Sequence, residues 1–275
     1  MVPILTAILT PTGLQSTPYE ATSLAEAVTH EPGGVYTVTR TFQHDHALLF
    51  DAHLDRLEQS AQLAGIAFDL DRDRLRAALR DLIQQADFPD ARFRITVPAA
   101  QSDHIYLALE PLHPVPAEIM QNGAHLKIVP LARTNPAAKT TIWMDQRAAT
   151  VNSLPSNVYE GLLVDETGHI LEGMSSNFYG VLNGKLYTAR DHVLEGIVRR
   201  AMLEIAPEVL PVELRALHRD DLPRLTEAIM TSSSRGVVPV TRIDDQPIGD
   251  GAIGSVTRAL QQAYERWWMA HIAPI

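Results

Sequence analysis

Between residues 160 and 190 the chain passes through four short apolar runs, at 161–164, 169–171, 177–182 and 185–188. Asn183-Gly184 alone joins the last two. Both positions tolerate positive φ, so a two-residue hairpin is expected there. Other strand-like runs lie at 34–41, 47–50, 92–97, 104–109, 125–131, 227–232 and 237–243. The loop Gln43-His44-Asp45-His46 joins the first two as a hairpin. Helical periodicity appears after Asp51 as far as about 64, after Asp71, over about 141–152, from Gly196 to about 205, and over about 253–271, with a short turn at 220–225. Hairpin-spaced strands with helices interspersed argue for an α+β fold, not a doubly wound parallel sheet.

One segment divides this pattern. Residues 110–116, EPLHPVP, hold three prolines, which lack a backbone donor and restrict the residues before them. We read a smaller α/β domain over 1–109, a linker over 110–116 and a larger domain over 117–275. A chain of 275 residues, 45% of them hydrophobic, has apolar material for one large or two modest cores. Its net charge of −10 disfavours a nucleic-acid surface, which needs clustered Lys and Arg. The absence of cysteine excludes disulfides, thiolate catalysis and Cys-ligated zinc. His44, His46 and His53 do not follow a metal-ligand pattern, so no metal is expected. The leading MVPILTAILTPTG lacks a basic n-region and no segment has the length of a membrane span, so a cytoplasmic protein without membrane partners is expected.

Several residues could carry chemistry. Lys139, in RTNPAAKTTIW, stands between a strand and a helix. A lysine there acts as a nucleophile if its surroundings favour the neutral amine; otherwise it is a solvated surface group. Glu172 closes an apolar strand and either holds a proton for a ring nitrogen or serves as a turn residue before Gly173. Gly196-Ile197-Val198 opens a helix, whose first amides suit phosphate or are simply a helix start. The tract Thr231-Ser232-Ser233-Ser234 at a strand end offers hydroxyls and amides, or makes a polar turn. On the first long helix His53, Arg56 and Ser60 share a face. Arg56 can grip a phosphate bidentately or form a surface salt bridge.

Taken in order, these pieces resemble the fold-type IV enzymes that use pyridoxal 5′-phosphate (PLP), the class IV aminotransferase family. The resemblance runs from about Gly34 to Asp244. It rests on GVYTVTRTF with LLFDAHLDRLEQSA, on RTNPAAK, on VDETGHILEGMSSNFYGVLNGKLYTA, and on LEGIVRRAML followed by MTSSSRGVVPVTRID. It implies a two-domain α+β subunit of the D-amino-acid aminotransferase type, with the cofactor between the domains and most contacts to it in the second. It implies a homodimer that moves an amino group between an amino acid or amine and a 2-oxo acid. By resemblance Lys139 carries PLP as a Schiff base and its freed amine shuttles the α-proton. Glu172 pairs with the pyridine nitrogen. Arg56, the amides of Ile197 and Val198, and Ser232 and Ser233, the latter through its hydroxyl or amide, hold the cofactor's phosphate end.

This chain departs from the family in places. Val198 replaces a usual threonine, Glu31-Pro32-Gly33-Gly34 replaces an Asp-Arg-Gly approach, and Trp143-Met144 follow the lysine where smaller or polar residues are frequent. Arg40 and Arg94 are candidates for a substrate carboxylate. Val35-Tyr36, Ile142-Trp143-Met144 and Gly236-Val237-Val238 read as an apolar substrate-facing lining. The same residue set serves 4-amino-4-deoxychorismate lyases, and a non-catalytic binding protein on this fold is the reading of another class.

Overall fold

The computed structural model describes residues 4–275. The chain falls into two compact units. The first runs up to His113 and takes back Ala138–Met144 and His271–Ile275; the second comprises Pro114–Ala137 and Asp145–Ala270. Assigning 117–275 wholly to one domain does not describe these two returns. The first return has a visible cause, since Thr140 bridges to Val35.

In chain order the elements begin with β1 (Leu5–Thr10), β2 (Gly13–Ser16), α1 (Leu24–Ala27), β3 (Gly34–Phe42), β4 (His46–Leu48), α2 (Phe50–Leu63), α3 (Arg72–Ala86), β5 (Ala91–Pro98) and β6 (Ile105–Pro111). There follow α4 (Ala117–Asn122), β7 (Ala124–Val129), α5 (Thr141–Ser153), β8 (Glu160–Val164), β9 (Ile170–Gly173), β10 (Asn177–Leu182) and β11 (Lys185–Thr188). The chain ends with α6 (Ile197–Ile205), β12 (Val212–Leu214), β13 (Glu227–Ser232), β14 (Gly236–Ile243), β15 (Gln246–Pro247), α7 (Ser255–His271) and β16 (Ile272–Pro274). The fold is α+β, as the strand spacing predicts. Of the residues read as a leading segment, Leu5–Thr10 form β1 and Gly13 opens β2, while residues 1–3 lie outside the described residues.

Among the described residues the first unit holds a seven-stranded sheet, in the order β16-β4-β3-β5-β6-β1-β2. Leu54, Leu57 and Ala61 of α2 share one core with Leu75, Leu79 and Leu82 of α3 and with Phe93, Ile95, Val97, Leu107 and Leu109 of the sheet. Burying each large aliphatic side chain contributes about 1.5–3 kcal/mol. Asp51 does not cap α2. The helix starts at Phe50, two residues before the position an Asp51 cap would give, behind Leu49 in the left-handed region at φ 45°. Asp71 does cap α3, accepting from the Arg74 amide.

The second unit is a mixed sheet in the order β12-β11-β10-β13-β14-β7-β8-β9, with β15 on the edge of β14. Its β7–β8, β7–β14 and β11–β12 pairs are parallel. β9 returns to pair with β10, so β10, β13, β14, β7, β8 and β9 close into a ring. The closing register pairs Asn177 with Glu172. Asn183, at φ 50°, and Gly184, at φ 73°, make the expected hairpin between β10 and β11. Among the described residues no helix is long and apolar enough to cross a membrane.

Candidate active site

In the first unit the sequence candidates gather on α2 and on the edge of β3. His53, Arg56 and Ser60 are all buried on the face of α2 that the i, i+3, i+7 spacing predicts. Thr37, from the centre of β3, meets two of them. Its hydroxyl accepts from Arg56 Nη2 at 3.3 Å and bonds His53 Nδ1 at 3.0 Å. Burial first, then the neighbouring charges of Arg56 and Lys139, push the His53 imidazole well below its ordinary pKa, so it is neutral. The Thr37 hydroxyl donates to or accepts from His53 Nδ1 according to the ring tautomer.

Lys139 enters this unit on the edge of β3. Its carbonyl accepts from the Tyr36 amide at 3.0 Å and its amide donates to Ser60 Oγ at 3.1 Å. Two residues on, the Thr141 hydroxyl accepts from the Gly34 amide at 2.9 Å. The side-chain amine lies 4.9 Å from the centre of the Tyr36 ring. A flexible lysine is thus mounted on a fixed stretch of backbone.

In the second unit Glu172, 3% exposed, stands at the ring closure. One oxygen accepts from Arg133 Nη1 at 3.1 Å, the other from Asn177 Nδ2 at 3.2 Å and from the Leu194 amide at 3.0 Å. Three donors, one of them cationic, hold the carboxylate as an oriented anion. Across the strands Glu172 faces Asn177, which faces Thr231, so the hydroxyl tract begins in the same row. Asn177 also reaches Leu194 O at 2.9 Å, tying down the segment before α6. That helix is capped by Gly196, which brings no side chain to its first amides, those of Ile197 and Val198. Only glycine fits there, since a Cβ would stand 2.2 Å from Asn177 Oδ1. Ser232 ends β13 and Ser233 lies in the turn before β14.

The profile of the family described as "Amino-transferase class IV" matches residues 34–243, well over half of the chain. The chain is a class IV aminotransferase. PLP is the cofactor that comes with the family, and amino transfer to a 2-oxo acid is its reaction. A protein of Aquifex aeolicus named as a probable branched-chain-amino-acid aminotransferase is 33% identical over 126 residues, covering 44% of this chain and 40% of that protein. The branched-chain-amino-acid aminotransferase of Escherichia coli K12 is 28% identical over 237 residues, covering 77% and 75%. The T.th. branched-chain amino acid aminotransferase, solved with pyridoxamine 5′-phosphate, superposes with a TM-score of 0.80 at 22% identity, over 98% of each chain. That likeness establishes the fold.

Each unit holds groups of the chemistry PLP needs: the first a lysine amine and an arginine, the second a buried carboxylate, free helix amides and hydroxyls. Four further residues carry this arrangement and escape a reading of the sequence. Arg133 and Asn177 orient Glu172. Glu160 and Arg235 form an ion pair of 2.6 Å at 4% and 20% side-chain exposure. Arg235 also donates from Nε to Ser232 Oγ at 2.9 Å and from Nη2 to the Ser175 hydroxyl at 2.9 Å. Glu160 accepts from the hydroxyls of Ser175 and Ser176 at 3.0 and 3.1 Å. A Cβ on Gly173 would stand 2.2 Å from Ser176 Oγ and 2.8 Å from a Glu160 oxygen. The pair therefore ties the serine turn to the loop that follows Glu172. A charged residue directly after a hydroxyl tract was the only signal for it.

One sequence expectation fails. Arg94 is no receptor for a substrate carboxylate. Its side chain is 1% exposed, and it is committed to Glu31 at 2.5 Å, to Thr96 Oγ1 at 3.1 Å and to Leu24 O. Arg40 lies with its guanidinium 4.0 Å from the Phe42 ring centre. Of the apolar stretches, Val35 and Val238 belong to the hydrophobic cores of their own units and Ile142 is 61% exposed, while the Tyr36 ring lies 4.9 Å from the Lys139 amine. A continuous apolar run does not say which of its side chains face a pocket.

Proposed function

We propose that this aminotransferase carries PLP on Lys139 and moves amino groups between an apolar amino acid, of the branched-chain kind its relatives are named for, and a 2-oxo acid. The observation that supports it best is Glu172, a buried carboxylate held as an anion by Arg133, Asn177 and the Leu194 amide. Such a group has no use in a surface turn and suits a protonated ring nitrogen. Bound PLP supplies the electron sink that stabilises the charge left when the substrate's α-proton departs. Glu172 keeps the ring nitrogen protonated. The Lys139 amine takes the α-proton and returns it to the carbon that keeps the nitrogen, which is general acid–base work by one positioned group. Arg56 holds the phosphate with the amides of Ile197 and Val198 and the hydroxyls or amides of Ser232 and Ser233. Val198 has no hydroxyl, so at that position the contact is through the backbone.

The reading includes a homodimer, carried over from the family resemblance, and a cytoplasmic location, expected from the sequence; light scattering on the purified protein tests the oligomer. Borohydride reduction of PLP-loaded protein should leave the reduced cofactor's mass on Lys139, and Lys139→Ala should lose both the visible absorbance and turnover. A panel of amino donors should convert the spectrum to that of pyridoxamine phosphate, and a 2-oxo acid should restore it. If no donor did so while aminodeoxychorismate gave pyruvate and 4-aminobenzoate, a lyase reading would replace this one.

A further inference from the structure

Ser60 stands on the buried face of α2, with no accessible surface. Its hydroxyl donates to the carbonyl of Arg56, one helical turn back, at 2.7 Å and accepts from the Lys139 amide at 3.1 Å. The directions are fixed, because a carbonyl only accepts and an amide only donates. One hydroxyl therefore joins the backbone of Arg56 to the backbone of Lys139. The Lys139 carbonyl is fixed separately by the Tyr36 amide, so the peptide groups on both sides of its Cα are held. A serine that only bonds back along its own helix is a common device. Here the same oxygen receives a donor 79 residues away in sequence.

We propose that Ser60 is a positioning residue, which sets Lys139 relative to Arg56 so that the amine meets the cofactor's aldehyde while the phosphate is gripped. The proposal rests on the reading that Lys139 and Arg56 are the two PLP-binding residues of this unit. The bond at stake forms when Lys139 Nζ adds to the aldehyde carbon and water leaves. A four-carbon side chain reaches its target from many backbone positions, but each added freedom lowers the fraction of time it is aligned.

The test compares Ser60→Ala, which removes both bonds, with Ser60→Cys, which nearly keeps the volume but offers a weaker donor and acceptor. Three quantities are read in the full-length protein. One is hydrogen exchange at the Lys139 amide without cofactor. Another is non-covalent PLP affinity in a Lys139→Ala background. The third is the rate of borohydride-trappable capture of PLP on Lys139. Ser60→Ala should speed amide exchange at least tenfold and slow capture tenfold or more, with affinity within about twofold of the parent, and Ser60→Cys should fall between. Capture at the parental rate, or slowed only as affinity falls, would overturn the proposal. If Ser60→Ala fails to fold, the Cys variant carries the test alone. Reduction of a lysine other than Lys139 in the parent would sink the cofactor assignment, while the exchange measurement would still report on the Ser60 link.

Discussion

The Glu160–Arg235 pair makes a sharp prediction about pH. Burial pushes the Glu160 carboxyl up, but the Arg235 guanidinium and the bonds from Ser175 outweigh that and hold it below the ordinary carboxylate range. A depressed folded value means that Glu160 adds stability above its unfolded pKa of about 4.3 and loses it as pH falls through the lower folded value. In Arg235→Ala the serine donors remain but the counter-charge is gone. Burial then dominates, the folded value rises above the unfolded one, and an ionised Glu160 opposes folding at neutral pH. Removing one member of a buried pair costs about 3–5 kcal/mol. Arg235 keeps 20% of its side chain exposed, so we expect the lower end, about 3 kcal/mol, at pH 7. The loss should shrink as pH falls toward 4, because a protonated Glu160 needs no partner. Urea unfolding of parent and variant between pH 4 and 8 reads this directly. The double variant Glu160→Gln with Arg235→Met should recover most of the loss, since both charges are gone. A deficit under about 1 kcal/mol at pH 7, or one equal at pH 4 and 7, would refute the reasoning.

Two further outcomes follow from the site. Glu172→Gln should still bind PLP but slow removal of the substrate's α-proton in single-turnover experiments, because a neutral amide does not keep the ring nitrogen charged; an unchanged rate would take this role away from Glu172. Arg56→Ala should weaken PLP affinity by about 1.5–3 kcal/mol, the worth of a hydrogen bond to a charged group; equilibrium dialysis giving the parental affinity would place the phosphate elsewhere.

What could be read from the sequence follows the range of the forces involved. The Asn183-Gly184 turn, the Asp71 cap and the Gly196 helix start depend on residues a few positions apart, and each is legible locally. The shared face of His53, Arg56 and Ser60 on α2 is legible too, since they recur at helical spacing, but its burial is not. The fate of Arg94 is not. It is decided by Glu31, 63 residues away, and a sequence does not announce that two charges will neutralise each other inside a fold. The return of Ala138–Met144 to the first unit escapes for the same reason, as the Val35–Thr140 bridge is non-local. For Val35 and Val238 the ground is different. Val35 and Val238 are apolar because strands in a core must be, and that demand masks any signal from a substrate.

The ring of strands in the second unit explains why Glu172 is so well held. The ring closes where β9 meets β10, at the Glu172–Asn177 pair. A carboxylate at an open edge would have water for company and a choice of rotamers. Here the closing strand supplies Asn177 as a side-chain donor, and the segment that Asn177 ties down supplies the Leu194 amide. The Thr231 row then continues the pairing into β13, at whose end Ser232 takes its bond from Arg235. Closure of the ring therefore brings Asn177, one of the acid's donors, directly opposite it. A substitution at Asn177 would remove its bonds to both Glu172 and Leu194 O, whereas one at Arg133 would remove only the contact to the other carboxylate oxygen.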